Sequence, residues 1–100
     1  GSMEVHGHMA SGQTDRAHEL MRLQWGYMLN HSQSTNSTFW EGYHNDGSFA
    51  YRGDYMSNSH GWATGPAAAL SFNTLGIRLA DHRSWVVEPR FSDLEFCEGT

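Results

Sequence analysis

The chain of 100 residues holds one cysteine, Cys97. A single thiol rules out an internal disulfide and a zinc site built on cysteine pairs. Basic residues are also scarce: 6 Lys and Arg stand against 11 Asp and Glu, for a formal net charge of -5. Binding a phosphate backbone calls for a basic face, so the balance argues against nucleic acid as partner. No basic amphipathic stretch marks a membrane-surface helix, and no apolar run reaches the roughly 18 residues that a spanning helix needs. Gly-x-Ser-x-Gly is absent, which argues against a nucleophile-elbow hydrolase. His-Glu-x-x-His and other fixed-spacing ligand sets are absent too, so neither a metal nor another cofactor is expected. No internal repeat is present. The length allows one small domain, with a thin margin of stability because short chains bury a small share of their surface.

Aromatic residues are plentiful: 13% of the chain, including 4 Trp. They can supply a small core or line a cleft. Gly1-Ser2-Met3 reads as a protease scar with a start codon, and His8-Met9-Ala10-Ser11 resembles vector-derived sequence. Residues 1–12 are therefore expected to be a leader outside the fold, His6 and His8 included. No signal peptide is visible. Asn30-His31-Ser32 and Asn36-Ser37-Thr38 are N-glycosylation sequons, which favour a secreted parent over a cytoplasmic one. An Asn- and Ser-rich loop also yields sequons by chance.

From Thr14 the periodicity is helical. Thr14 is placed to cap, Asp15 suits the first turn, and Ala17, Leu20, Met21, Trp25 and Met28 recur at spacings of three and four. This predicts an amphipathic helix to about Leu29. Leu23 and Tyr27 widen its apolar face, which then calls for more than one partner. Residues 30–38 are polar and read as a surface loop. Residues 39–55 show neither regular period, and Asn45-Asp46-Gly47 signals a turn. Gly65-Pro66 opens a second helix that Gly76 ends, with Ile77 folding back. Residues 78–84 read as a linker, and 85–89 and 91–96 as one or two short strands.

Chemistry concentrates in two places, Trp40-Glu41 and His60-Gly61-Trp62. Flat aromatic faces cover the C–H side of a sugar ring, while a carboxylate and an imidazole handle its hydroxyls or activate a water. Plainer roles exist for both. Glu41 can be a solvated loop acid, and His60 a helix-entry histidine bonding the backbone. His44 with Asp46 can be a hydrogen-bonded pair or part of a metal site.

The wording of the motifs is more specific than their spacing. Thr38-Phe39-Trp40-Glu41, then Ser57-Asn58-Ser59-His60-Gly61-Trp62-Ala63-Thr64-Gly65-Pro66, then Leu75-Gly76-Ile77 resemble the end of the catalytic domain of α-L-rhamnosidases, the six-hairpin glycosidases. The resemblance covers roughly residues 15–97. It implies a mainly α chain: a helix–long loop–helix fragment of an (α/α)6 toroid, with one or two short β-strands at the C-terminus. On that view residues 13–78 are part of the catalytic domain, and 79–100 are a linker and the start of a β-sandwich. The implied activity is inverting hydrolysis of terminal α-L-rhamnose, with a rhamnoside as the carbohydrate partner. Glu41 matches the general base; Trp40, His60 and Trp62 match the substrate-binding positions.

The family's general acid lies in an Asp- and Glu-rich segment that this chain lacks. Inversion needs two carboxyl groups about 6.5–9.5 Å apart, and Asp46 or Asp54 would be the nearest candidates in sequence. The chain is therefore expected to carry half of a catalytic constellation and to be inactive alone. The alternatives are a small non-catalytic carbohydrate-binding module and a unit that associates with itself as a dimer or larger.

Overall fold

Helix α1 spans Ser2–Ala10 and α2 spans Thr14–Asn30. The computed structural model describes residues 1–48 and 56–99. Val5 and Met9 lie one turn apart, which places both on one stripe of α1, and both are buried. Gly12 closes α1 at φ 76, a left-handed conformation that glycine adopts without a Cβ clash, while Gln13 N–H returns to the His8 carbonyl at 2.8 Å. The three-residue connection folds α2 back along α1, so that Gly1 lies beside Gln24 and Trp25. Residues 1–12 are thus not outside the fold. They form the first helix of a hairpin and supply part of its core. The physical reason is the Val5/Met9 spacing, which gives the segment an apolar face to bury.

Gln13, not Thr14, holds the cap position of α2, and its carbonyl accepts the Ala17 N–H at 3.1 Å. Ala17, Met21, Trp25 and Met28 are buried as the period predicts. The apolar face is narrower than expected, however: Leu23 is turned outward and is 69% exposed. Tyr27 leaves the helix contact to meet Trp40 and Tyr43. The polar loop that follows closes the helix end. Asn30 Nδ2 donates to the Gly26 carbonyl at 2.7 Å, Ser34 Oγ to Met28 and Asn36 Nδ2 to Leu29. The last two of these bonds satisfy carbonyls that the final helical turn leaves without partners.

A short 3₁₀ turn, Gly61–Ala63, leads to α3, Gly65–Ala69, with Pro66 at its start. The helix then widens to a π turn, Leu70–Thr74, closed by Leu75 N–H on the Leu70 carbonyl at 2.7 Å. Gly76 ends it at φ 78, and a Cβ there would collide with the Glu88 carbonyl.

The expected linker is half of a hairpin. Strand β1, Ile77–Leu79, pairs antiparallel with β2, Trp85–Val87, in the register Ile77↔Val87, Arg78↔Val86, Leu79↔Trp85. Asp81 builds the turn by accepting the Arg83 N–H at 2.7 Å, a bond that holds its carboxyl below the ordinary range. Pairs in register share a face, so Ile77, Leu79, Trp85 and Val87 form one apolar stripe. The strand expected over 91–96 does not form. Arg90 N–H bonds the Thr74 carbonyl at 3.0 Å and Leu94 N–H that of Phe91 at 2.8 Å, leaving no ladder partner. Residues 90–94 instead strap the helical hairpin. Arg90 donates to the Met9 carbonyl at 2.7 Å, Ser92 Oγ to Asp15, and Arg22 pairs with Asp93 at 2.9 Å. The result is a mainly helical structure with a two-stranded sheet near its C-terminus. Among the described residues no helix is long and apolar enough to cross a membrane.

Met9 is 1% exposed and Met3 85%. Met9→Ala should therefore cost about 2–5 kcal/mol in urea unfolding. Met3→Ala should stay within about 0.5 kcal/mol. Equal, small losses would mean that α1 is not part of the cooperative core.

Candidate functional site

Two distant motifs meet through their backbones. Glu41 N–H donates to the Ser57 carbonyl at 2.9 Å, and His60 N–H to the Phe39 carbonyl at 2.8 Å. Thr38 Oγ1 adds a bond to the Asn58 carbonyl. This short irregular pairing joins 38–41 to 57–60. It also fixes the acid: Ser57 N–H donates to Glu41 Oε2 at 3.0 Å. Among the described residues the second oxygen, Oε1, has no partner, so it remains available to a hydroxyl or a water. Glu41 is half-buried, not a freely solvated loop acid.

Trp62 is tied to the backbone of the same residue. Its Nε1 donates to the Glu41 carbonyl at 3.2 Å, and its ring is 65% exposed. His60 meets Trp62 edge-on, with ring centroids 5.0 Å apart and planes at 61°. Among the described residues no hydrogen bond joins His60 to Glu41, so the imidazole reaches the acid only by way of Trp62. Trp40 is different. At 0% exposure it is a wall behind the site, with edge contacts to Tyr27, Tyr43 and His31. Each such aromatic contact is worth about 0.5–1.5 kcal/mol beyond area burial. Burial and the neighbouring Tyr27 push the Tyr43 hydroxyl up from its ordinary pKa, and it donates to the Gln24 carbonyl at 3.3 Å.

Glu41, Trp62, Tyr43, Asn45, Gln24 and the start of α1 line a cavity of about 440 Å³, together with Trp25 and Met28. That volume is within the range of small-molecule sites. The cavity thus joins an indole-bearing residue and a carboxylate-bearing one in a single lining. A second groove of about 500 Å³ runs between α2 and α3. Met21, Met28, Leu29, Phe39 and Leu70 dominate it and it has no carboxylate, so it is the poorer place for a molecule made of hydroxyls.

Asp46 does not complete a pair with Glu41. The Ser48 hydroxyl and N–H both bind its carboxylate and hold its pKa below the ordinary range, the opposite of what a general acid needs. Asp54 lies outside the described residues. His44 adds a favourable charge to Asp46, and no group of three or more His, Cys, Asp or Glu converges on a metal-sized site among the described residues.

The sequence reading missed Gln24, Tyr43 and the contribution of α1. Ser2 Oγ donates to the Trp62 carbonyl at 2.7 Å and accepts the Gly65 N–H at 3.1 Å, so α1 braces the turn that carries Trp62. The signal was a serine ahead of apolar residues at helical spacing.

The two tryptophans should separate in denaturant unfolding. Trp40→Ala should cost about 3–5 kcal/mol. Trp62→Ala loses one exposed hydrogen bond and should cost no more than about 1 kcal/mol. A large loss at Trp62 would make it a structural residue.

Compared with protein-family models and with curated proteins, the chain matches none.

Proposed function

We propose that the chain is part of the catalytic domain of a secreted glycoside hydrolase similar to the α-L-rhamnosidases, with Glu41 as the general base of inversion. The observation that carries this reading is the pinned carboxylate. One oxygen of Glu41 is held by the Ser57 N–H, and the residue lines a cavity together with the exposed Trp62. A base that activates water must hold its orientation while keeping one lone pair free. Trp62 stacks on the sugar ring, His60 supports Trp62, and Trp40 backs the wall. In the same proposal α1 and α2 are one hairpin of an (α/α)6 toroid. The general acid sits on a segment this chain does not contain, so the chain binds rhamnosides without cleaving them.

A second reading, sugar binding without chemistry, is favoured by the exposed Trp62 and by an Asp46 already committed to Ser48. Both readings require ligand binding. Calorimetric titration with L-rhamnose should show weak, millimolar affinity, about -4 kcal/mol. Trp62→Ala should weaken it roughly tenfold. No heat at millimolar sugar would count against both readings. Turnover of an aryl rhamnoside by this chain, abolished by Glu41→Gln, would show instead that it carries a complete site.

Leu29 and Leu70 line the α2–α3 groove and are exposed, as are Leu23 on α2 and Phe72 in the π turn. We propose that the chain associates with itself through apolar surface of this kind. Sedimentation velocity should then show a dimer or larger species; a single monomer boundary would overturn that proposal.

A further inference from the structure

His18 carries an ionisable ring inside the core, at 4% exposure. Its Nε2 and Thr74 Oγ1 share a hydrogen bond of 2.8 Å that ties α2 to the π turn. Its Nδ1 is buried with no hydrogen-bond partner among the described residues. A neutral ring limits the damage, because one nitrogen can then be a bare acceptor and the other can serve Thr74. A protonated ring presents two N–H donors and a charge, and one of those donors has nowhere to go.

The charged groups that face this ring come from two elements. Arg22 and Asp15 lie one turn to either side of it on α2, and Asp93 comes from the C-terminal strap. All three are already committed to holding the strap: Arg22 binds Asp93 at 2.9 Å, and Asp15 accepts the Ser92 hydroxyl. Thr74, from the π turn, brings only a hydroxyl, while its carbonyl accepts the Arg90 N–H. Thus the ring sits where the strap, α2 and the π turn join.

We propose that His18 is an acid-sensitive latch: protonation of its ring frees the strap, residues 90–94, from α2 while the α1–α2 hairpin stays folded. The strap is the weak element. Its side-chain contacts with α2 are exposed. Burial and the Arg22 charge both pull the ring's pKa below its ordinary 6.5, against a weaker opposing pull from Asp93 and Asp15. The sign follows from linkage. The neutral ring's contribution is fully present above the ordinary value and is lost as pH falls below it, because the freed state binds the proton more tightly.

Amide hydrogen exchange, corrected for intrinsic rates, reads the strap directly. The Arg90 amide, bonded to the Thr74 carbonyl, should lose at least roughly tenfold in protection between about pH 7.5 and about pH 5, while α2 amides keep theirs. In His18→Gln the side chain can still bond Thr74 but cannot titrate, and the profile should be flat. Should that variant fail to fold, Asp93→Asn serves instead: it opens the clasp at both pH values, so protection starts low and changes little. Four outcomes would overturn the latch: no pH dependence in the wild type, the same drop in His18→Gln, an undiminished drop in Asp93→Asn, or simultaneous loss of protection throughout α2.

Discussion

The Trp25 indole is the contact on which the other parts depend. Its Nε1 donates to the Ala63 carbonyl at 2.8 Å in a buried setting, and its ring lies against Gly1. One side chain therefore joins α2, the start of α1 and the turn that follows His60. An indole offers a single donor, so when buried it must find one acceptor, and that acceptor sets where the turn sits. The Trp25 ring also lines both the cavity and the α2–α3 groove, with Met28 beside it. The helical hairpin thus positions the site without supplying its acid.

The acid itself lies on irregular backbone, and such backbone needs external support to hold a functional geometry. Here the support is reciprocal: Glu41 donates its N–H to the Ser57 carbonyl, and its carboxylate receives the Ser57 N–H. A mutation of either side chain cannot remove both halves of that exchange. The carboxylate orientation is therefore a property of the chain path, with Trp62 locked to the same strand of backbone through the Glu41 carbonyl. Trp40 secures the path from behind by being wholly enclosed.

Much of this was legible from residue order. The α2 stripe, the Pro66 start and the Gly76 stop each rest on local chemistry, and each appears where the pattern puts it. The backbone pairing that brings the Glu41 and Trp62 motifs together has no local signal in residue order. The failures have physical reasons too. Helix α1 was discounted for the identity of its residues, although Val5 and Met9 were at core spacing. Strand β1 is three residues with an arginine in the middle, too short for alternation to stand out. Leu94 and Phe96 do alternate with polar neighbours, but Ser92 sits at φ 52 and the Leu94 N–H turns back to the Phe91 carbonyl, so a turn forms there instead of a strand. Sequence could not say which tryptophan would be wall and which would be surface, because both sit beside glycine, acid or histidine and differ only in tertiary context. Asp46 likewise gave no sign that Ser48 would take its carboxylate.

The indoles divide evenly in their surroundings. Trp25 and Trp40 are enclosed, at 6% and 0% exposure, whereas Trp62 and Trp85 stand in solvent at 65% and 67%. Fluorescence of the folded chain is therefore a sum of a blue, shielded pair and a red, quencher-accessible pair. Iodide reaches only the second pair, so it reports on the cavity lining and the β-hairpin together. Replacing Trp85 with phenylalanine would leave Trp62 as the sole accessible emitter, turning the lining of the cavity into an optical probe of whatever enters it.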